Sequence, residues 1–223
     1  MRNINFSEGE YYHLYNRGVD KRNVFTSSSE YQRFRSYLYL LNTCEKIRPS
    51  HLISTKSAES IFLTPRNNPL VAIGAYCLMP NHFHILATPL VEKGIAKFMQ
   101  RLQTAYTMYF NEKHERSGSL FQGTYKGRHA DNDNYLKYLY SYIHLNPAKL
   151  FDSEWKKRGK TEIKKLKKKI IEYPYSSARE YILSKYTITN PSNFPEYFEK
   201  SADFDSYISF WFSYKSGGNF LRG

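Results

Sequence analysis

The chain has 223 residues, of which 41% are hydrophobic, so it can bury a core of its own and general disorder is excluded. Its 33 lysines and arginines outnumber 20 aspartates and glutamates, and the resulting formal net charge of +13 indicates a polyanionic partner such as DNA or RNA. Two cysteines are too few for a disulfide scaffold or a cysteine-rich zinc site. The N-terminal residues contain no apolar signal-peptide core and no long apolar run follows, so we expect a soluble, intracellular protein that does not enter membranes.

The first third of the chain contains a strand-like segment, a helix-like segment and a polar stretch. Residues 11–16 are short and aromatic-rich and predict a strand that ends at Arg17 and Gly18. Apolar residues at helical spacing predict a helix over residues 30–46, with serines before it that suit an N-cap. The polar, proline-containing residues 48–69 are expected to form a loop or an insertion.

A hairpin is predicted next. Residues 71–79 form a continuous apolar run typical of a buried strand, residues 80–81 are a Pro-Asn turn, and residues 82–88 predict the second strand. An amphipathic pattern predicts a helix over residues 92–114, and residues 118–125 look like another short strand with glycine bends. Strands separated by helices, with at least one hairpin, indicate an α+β fold with a mainly antiparallel sheet.

The last part of the chain is predicted to be helical and basic. Residues 131–133 supply caps for a helix that should end at Pro147, because proline cannot continue the hydrogen-bond ladder. The lysine-rich residues 156–169 are interpreted as a solvated helical face, and another helix is predicted within residues 173–182, starting at the serines. The aromatic tail ends in a bend at residues 217–218.

Two pairs of residues carry a possible chemistry. His82 and His84 alternate on a predicted strand, so both imidazoles lie on one face, where they hold a divalent metal or are simply a pair of strand histidines. Tyr142 and Asn146 are four residues apart on a predicted helix and share a face. The Asn146 oxygen would complete a three-ligand metal site with Tyr142 one turn away. An oxygen nucleophile beside a Lewis acid is what phosphoryl transfer requires.

The helix that carries Tyr142 contains other tyrosines, and Tyr138 is the rival nucleophile because it lies on the same face. The residue four positions after Tyr138 is Tyr142, a poor metal ligand, so the spacing favours Tyr142. His144 lies two residues from Tyr142 and points off its face, so we expect it to pack or to contact DNA.

Five segments occur in an order that is typical of one known family. The segments are LMPNHFHIL at residues 78–86, YIHLNP at 142–147, YHLYNRG at 12–18, GSLFQGTY at 118–125 and YPYSS at 173–177. The first contains a His-hydrophobic-His motif like that of the IS200-like single-tyrosine transposases, and the second resembles the tyrosine helix of their REP-associated branch. The resemblance extends over about 8–182 of the sequence.

This resemblance implies a ferredoxin-like or RRM-like antiparallel sheet flanked by helices. We expect a catalytic core over residues 1–150 and a basic, aromatic extension over residues 151–223 that packs partly on the core and contacts DNA. The resemblance implies that His82 and His84 are metal ligands, that Tyr142 is the nucleophile and that Asn146 is the third ligand. The expected metal is Mg²⁺ or Mn²⁺, although imidazole also suits Zn²⁺ or Ni²⁺, and no nucleotide cofactor is expected.

The resemblance further implies cleavage and rejoining of single-stranded DNA at hairpin-associated sites through a 5′-phosphotyrosine intermediate. Single-stranded or hairpin DNA is the expected partner, bound in the cytoplasm at the nucleoid by a monomer or a homodimer. Basic and aromatic residues near the predicted strand ends are expected to bind DNA, and these are Arg17, Lys21, Arg22, Phe121, Lys126 and Arg128. Tyr15 is a further candidate for stacking on a base.

Three other functions are compatible with parts of the pattern. One is a DNA-binding protein that has lost catalysis, which the full set of two histidines, a tyrosine and an asparagine argues against. The second is a replication initiator or relaxase of the wider HUH class, whose motif order is usually different. The third is an RNA-binding protein with an RRM-like sheet, for which the histidine and tyrosine motifs would be coincidental.

Overall fold

The structure is a computed structural model that describes residues 5–157, 160–198 and 200–213. The strands are β1 (Tyr12–Arg17), β2 (Val71–Met79), β3 (His82–Pro89) and β4 (Lys126–His129). The α-helices are α1 (Ser28–Leu40), α2 (Pro49–Thr55), α3 (Ala58–Ile61), α4 (Gly94–Lys113), α5 (Asp133–Leu145), α6 (Ala148–Phe151), α7 (Lys160–Ile171), α8 (Ala178–Ile182) and α9 (Ser201–Ser213). Within the described part of the chain, no helix is long and apolar enough to span a membrane.

The four strands form one antiparallel sheet in the order β2-β3-β1-β4. The hairpin β2–β3 places β3 beside β1, and β4 closes the other edge of β1. Helices α1 and α4 each connect two strands that have a third strand between them. This order of strands and helices is the ferredoxin-like arrangement, so the predicted α+β fold is confirmed.

One face of the sheet packs against α1 and α4. Side chains alternate between the two faces of a strand, so Leu14 on β1 and Phe83 and Ile85 on β3 all point to this side. All three are fully buried and share a hydrophobic cluster with Phe34 of α1 and Phe98 of α4. The main hydrophobic core therefore lies on this face of the sheet, where it supports the central strands.

The opposite face packs against α5 and the chain that follows it. Cys77 and Leu86 point to this side and share a cluster with Ile143 of α5 and with Phe204 and Phe212 of α9. The segment after residue 150 thus shares a hydrophobic core with the sheet rather than having a core of its own. Residues near the start of α8 also extend the sheet, since the Leu78 amide donates to the Tyr175 carbonyl at 2.9 Å and the Ser177 amide donates to the Tyr76 carbonyl at 3.0 Å.

The prediction of a strand over residues 118–125 was wrong. Gly118 and Gly123 have backbone φ angles of +83° and +66°, which turn the chain away from an extended course. The segment makes a single isolated bridge, between Phe121 and Gly18, and the fourth strand begins only at residue 126. The glycines that bound the aromatic run therefore form bends that carry the chain to the sheet edge.

Residues 48–69 were expected to form a loop or an insertion, and the loop alternative was wrong, because the segment contains α2 and α3. Pro49 starts α2, where its missing N–H costs no hydrogen bond. The segment is held on α1, since the Tyr39 hydroxyl donates to the Thr64 carbonyl at 2.8 Å and the Arg66 guanidinium lies 4.7 Å from the Tyr39 ring centroid. Helix α1 ends at Leu40 rather than at residue 46.

The lysine-rich helix follows the prediction where it is described, whereas α9 in the aromatic tail was not predicted. Helix α7 presents exposed lysines to solvent and buries Leu166 and Ile170, as expected for a solvated helical face. Residues 158–159 of the lysine-rich run and the predicted bend at 217–218 lie outside the described residues.

Candidate active site

The predicted metal ligands lie on the face of the sheet that α5 covers. In the antiparallel register Tyr15 pairs with His84 and Arg17 pairs with His82, so all four side chains point to the same side. Helix α5 covers the centre of this face and leaves a cavity of about 440 Å³ at the end where β3 begins. The cavity lining includes His82, His84, Tyr142, Asn146, Arg17, Lys126 and Lys149.

A hydrogen-bond contact at each imidazole Nδ1 orients the two predicted metal ligands. His82 Nδ1 lies 2.6 Å from Asn81 Oδ1, and the Asn81 amide nitrogen donates to the Lys21 carbonyl at 3.1 Å, which fixes the orientation of the amide. Because Asn81 Oδ1 can only accept, His82 carries its proton on Nδ1 and its Nε2 keeps a lone pair. The rings of His82 and His84 have centroids 5.0 Å apart. This bond prepares His82 to act as a ligand.

His13 contacts a predicted metal ligand and was not among the residues that the sequence pointed to. Its Nε2 lies 2.8 Å from His84 Nδ1, and both side chains are buried. Burial, and then the charge of Arg128, lower the pKa of His13 to about 3, so its ring is neutral. The signal was the alternation of His13, Tyr15 and Arg17 along β1, which places all three on one face.

The two histidines predicted as ligands, His82 and His84, are uncharged at neutral pH. Burial and the charge of Arg17 lower the pKa of His82 to about 4, against a smaller upward effect of its hydrogen bond with Asn146. Burial and the neighbouring His13 hold the pKa of His84 well below its usual range. Neutral imidazoles bind a metal without first losing a proton.

Helix α5 brings Tyr142 and Asn146 to the histidines. The helix starts at an N-cap, Asn132, whose side chain accepts from the Tyr135 amide at 2.8 Å. Two turns later the Tyr142 ring lies 5.3 Å from the His84 ring, centroid to centroid. Asn146 donates to the Tyr142 carbonyl at 2.9 Å. Its side chain lines the cavity together with His82 and Tyr142.

Tyr142 and its rival Tyr138 occupy different surroundings. Tyr142 lines the cavity, whereas Tyr138 packs edge-on against Trp211 of α9 at a centroid distance of 5.2 Å. Burial raises the pKa of Tyr142, and its hydrogen bond with Asn146 partly opposes that effect. Burial raises the pKa of Tyr138 to about 12. Both are protonated phenols at neutral pH, but Tyr142 is the one beside the histidines.

The donor set fits a divalent metal. Among the described residues, no group of three or more His, Cys, Asp or Glu side chains is placed to hold a metal ion. Asn146 lines the cavity with both histidines and carries the amide oxygen of the predicted three-ligand set. Two neutral imidazoles and one amide oxygen leave further positions on Mg²⁺ or Mn²⁺ for water or phosphate.

The cationic residues predicted to bind DNA fall into two groups. Arg17 and Lys126 line the cavity from neighbouring strands. Lys21 and Arg22 lie on the exposed turn after β1, outside the lining, and Arg128 places its guanidinium 4.8 Å from the Tyr135 ring centroid. All of them are exposed to solvent and none is buried by the fold.

The prediction that Phe121 stacks on a base is corrected by its position. Phe121 is only 4% exposed and belongs to the main core cluster. Its ring packs edge-on against Phe83 at a centroid distance of 5.6 Å and also contacts Tyr106. An aromatic side chain held in this way has no free face for a nucleobase. Tyr15, by contrast, is half-buried and lines the cavity.

His144 is a packing residue rather than a DNA contact. Its Nδ1 donates to the Tyr140 carbonyl at 2.7 Å, and its Nε2 lies 2.7 Å from the Ser177 hydroxyl. Burial lowers its pKa to about 3, so the ring stays neutral. His144 therefore joins α5 to the segment that runs along β2.

A known protein family and a solved structure both match this chain. The family described as "Transposase IS200 like" matches residues 8–146, which is more than half of the 223 residues. A solved structure described as "Structure of the REP associates tyrosine transposase bound to a REP hairpin" matches with a TM-score of 0.51 and 14% identity, over 85% of this chain and 90% of that chain. No curated protein matches significantly. The fold is thus that of a REP-associated tyrosine transposase, and the chain belongs to the IS200-like transposase family.

Proposed function

We propose that this protein is a metal-dependent transposase that cleaves and rejoins single-stranded DNA at hairpin-associated sites through a 5′-phosphotyrosine intermediate. The observation that carries the proposal is the meeting of Tyr142, His82, His84 and Asn146 in one cavity. These residues come from a strand and a helix that are far apart in sequence. All four belong to one chain, so the proposed chemistry does not require a second copy.

The Tyr142 hydroxyl is the proposed nucleophile. Its oxygen attacks phosphorus in line with the leaving oxygen, which forms the bond between tyrosine and the 5′-phosphate and breaks the bond to the 3′ oxygen. The phenol loses its proton and the departing 3′ oxygen gains one. A second 3′-OH then attacks the phosphotyrosine, which restores a phosphodiester and the free tyrosine. One phosphoester replaces another at each step, so no nucleotide cofactor is consumed.

His82, His84 and Asn146 are the residues that would hold the metal. A bound Mg²⁺ or Mn²⁺ would supply Lewis acidity at a non-bridging phosphate oxygen and positive charge near the nucleophile. Because burial raises the pKa of Tyr142, added positive charge is needed to favour its phenolate. Asn146 also helps to position the nucleophile, since its side chain donates to the Tyr142 backbone carbonyl at 2.9 Å.

Single-stranded or hairpin DNA is the proposed substrate. The net charge of +13 and the exposed Arg17 and Lys126 at the cavity favour a polyanion that threads past the tyrosine. The similar solved structure is described as bound to a REP hairpin, which supports a hairpin as the recognised feature. An RRM-like mode of RNA binding is disfavoured, because α5 and α9 pack on the sheet face that would stack bases.

The test is incubation of the full-length protein with labelled single-stranded DNA that spans the flanks of its own gene, in Mn²⁺ or Mg²⁺. The wild-type protein is expected to yield a covalent protein–DNA band that EDTA abolishes. Tyr142→Phe should remove the band. Tyr138→Phe is the matched control, because it deletes the same hydroxyl one turn away on α5, and it should leave the band in place. His82→Ala should lose the band at Mn²⁺ concentrations that saturate the wild type.

Each other outcome points to a different function. Tight binding of the hairpin without a covalent band would identify a binding protein without catalysis. A band that persists in Tyr142→Phe but disappears in Tyr138→Phe would assign the nucleophile to the other tyrosine. A band that forms fully in EDTA would contradict the metal dependence.

A further inference from the structure

The chain that follows the nucleophile does not leave the cavity at Pro147. Asn146 and Pro147 keep right-handed helical backbone angles, with φ and ψ of −52° and −42° and of −63° and −16°. The Lys149 amide donates to the Asn146 carbonyl at 3.4 Å, so the helical turn continues across the proline. Lys149 is seven residues after Tyr142 and three after Asn146, which places all three on one helical face.

Lys149 brings a positive charge to the cavity from the helix side. Its side chain is exposed and lines the cavity with Tyr142 and Asn146. Among the residues that the structure describes, no acidic side chain makes an ion pair with it. The charge of Lys149 contributes to the lowered pKa values of both His82 and His84, after the larger effect of burial. The ammonium therefore lies within electrostatic reach of the proposed metal ligands.

The other two cationic side chains in the cavity lining come from strands rather than from a helix. Arg17 and Lys126 stand on β1 and β4, on the strand side. Lys149 stands on α6, on the side of the nucleophile. A phosphodiester has two non-bridging oxygens, and only one of them would face the histidines and Asn146. The negative charge that builds up on the second oxygen during attack needs a donor from elsewhere.

We infer that Lys149 is a catalytic residue whose ammonium binds the scissile phosphate at the non-bridging oxygen that faces away from the metal ligands. This inference rests on the proposed function, since it concerns the same phosphate. Lys149 binds that oxygen in the ground state and stabilises it further as charge accumulates. It also orients the phosphorus toward Tyr142. A lysine does this as a point charge, so an arginine can replace it in part.

The experiment compares wild type, Lys149→Ala, Lys149→Arg and the control Lys97→Ala. Lys97 is an exposed lysine on α4, behind the sheet and outside the cavity. Lys149→Ala is expected to slow adduct formation by about 10²–10³-fold, as loss of one transition-state donor typically does, with partial recovery in Lys149→Arg. Thermal melting of all variants should match wild type, because both lysines are exposed. In EDTA and a Tyr142→Phe background, Lys149→Ala should lower the salt slope of DNA binding by about one unit.

A phosphorothioate at the mapped cleavage site separates contact from an indirect effect. One of the two sulfur stereoisomers is expected to slow the wild type but not to slow Lys149→Ala any further, because the contact is already lost. Sulfur effects that multiply with Lys149→Ala for both stereoisomers would overturn the inference. Equal adduct rates in wild type and Lys149→Ala would also overturn it and leave the proposed function intact. If the wild type forms no adduct, the proposed function fails, and the inference fails with it.

Discussion

His13 Nε2 and His84 Nδ1 lie 2.8 Å apart on neighbouring strands, and both rings are buried. Only one nitrogen of each imidazole is engaged by this contact. If His84 donates from Nδ1, its Nε2 keeps the lone pair that a metal requires, and His13 must accept. In that pair of tautomers His13 would hold His84 as a ligand, in the way that outer residues tune metal sites.

His13→Leu is expected to weaken metal binding, because His84 would lose the partner that holds its ring and its proton. The Mn²⁺ concentration for half-maximal adduct formation should rise by about 10–100-fold. His13→Gln, whose amide oxygen can still accept, should recover part of the loss. A metal titration of adduct formation measures this, and an unchanged Mn²⁺ requirement in His13→Leu would show that His84 does not depend on His13.

Asn146→Ala is expected to remove a metal ligand and a hydrogen-bond partner of Tyr142 together. The Mn²⁺ requirement for adduct formation should rise by at least about 10-fold. Asn146→Asp keeps an oxygen ligand that suits Mg²⁺ and Mn²⁺ and should bind metal better than Asn146→Ala. Direct calorimetric titration with Mn²⁺ checks the order, and equal affinity of wild type and Asn146→Ala would exclude Asn146 from the site.

Glu30 is expected to make the stability of the protein depend on acid pH. Burial alone raises the pKa of Glu30, but hydrogen bonds from Lys113, the Thr26 amide, His114 and the Thr26 hydroxyl outweigh it and lower the pKa to about 2. Because the folded-state pKa is below the ordinary value near 4.5, the stabilisation is complete above pH 4.5 and is lost as pH falls toward 2. The loss is at most about 3 kcal/mol.

Chemical denaturation of wild type and Glu30→Gln between pH 2 and 7 measures this contribution. Glu30→Gln should be less stable at pH 7, by about 3 kcal/mol, because it leaves Lys113 and His114 without their buried partner. The difference between the two proteins should shrink as the pH falls through the window. A difference that stays constant from pH 7 to pH 2 would mean that the carboxylate charge is not what α1 and α4 depend on.

Ser177→Ala is expected to reduce stability without changing the chemistry. The Ser177 hydroxyl accepts from the Tyr76 amide at 2.9 Å and lies 2.7 Å from His144 Nε2. Removing it leaves two buried polar groups unsatisfied, at a cost of about 1–3 kcal/mol each. Urea unfolding should show the loss, whereas the adduct rate below the unfolding transition should stay within about 3-fold of wild type, since a stability loss of this kind does not touch the cavity. A large fall in adduct rate would place His144 in the mechanism.

Lys126→Ala is expected to weaken DNA binding mainly through its charge. Lys126 lies in the cavity lining opposite Tyr15, so one phosphate contact should be lost and the salt slope of binding should fall by about one unit. Arg22→Ala provides a comparison from the turn outside the lining, where an exposed pair with Asp20 already engages the guanidinium. Binding measured across a range of salt concentrations decides it, and an unchanged slope in Lys126→Ala would remove Lys126 from the DNA path.

Local pattern was enough to predict most of the elements and the residues that meet in the candidate site. Three elements could be recognised from residues that are close in sequence. They are the continuous apolar run of β2, the turn at residues 80–81 and the amphipathic pattern of α4. Period two on β3 placed His82 and His84 on one face, and the four-residue spacing on α5 paired Tyr142 with Asn146. These relationships depend only on backbone periodicity, and so sequence is sufficient for them.

Contacts between distant segments were decided only by the tertiary structure. The register between β1 and β3 brought His13 to His84, and no spacing within either strand contains that information. As predicted, α5 ends before Pro147, at Leu145, but Asn146 and Pro147 keep helical backbone angles and α6 follows directly, so Lys149 also lines the cavity. In the sequence, Phe121 looks like a residue that stacks on a base, because it is aromatic and lies near a predicted strand end. In the structure, its ring packs against Phe83 and Tyr106 in the core. Strand pairing, burial and the choice between a core and a surface position depend on contacts between distant segments. Local sequence patterns therefore do not determine them.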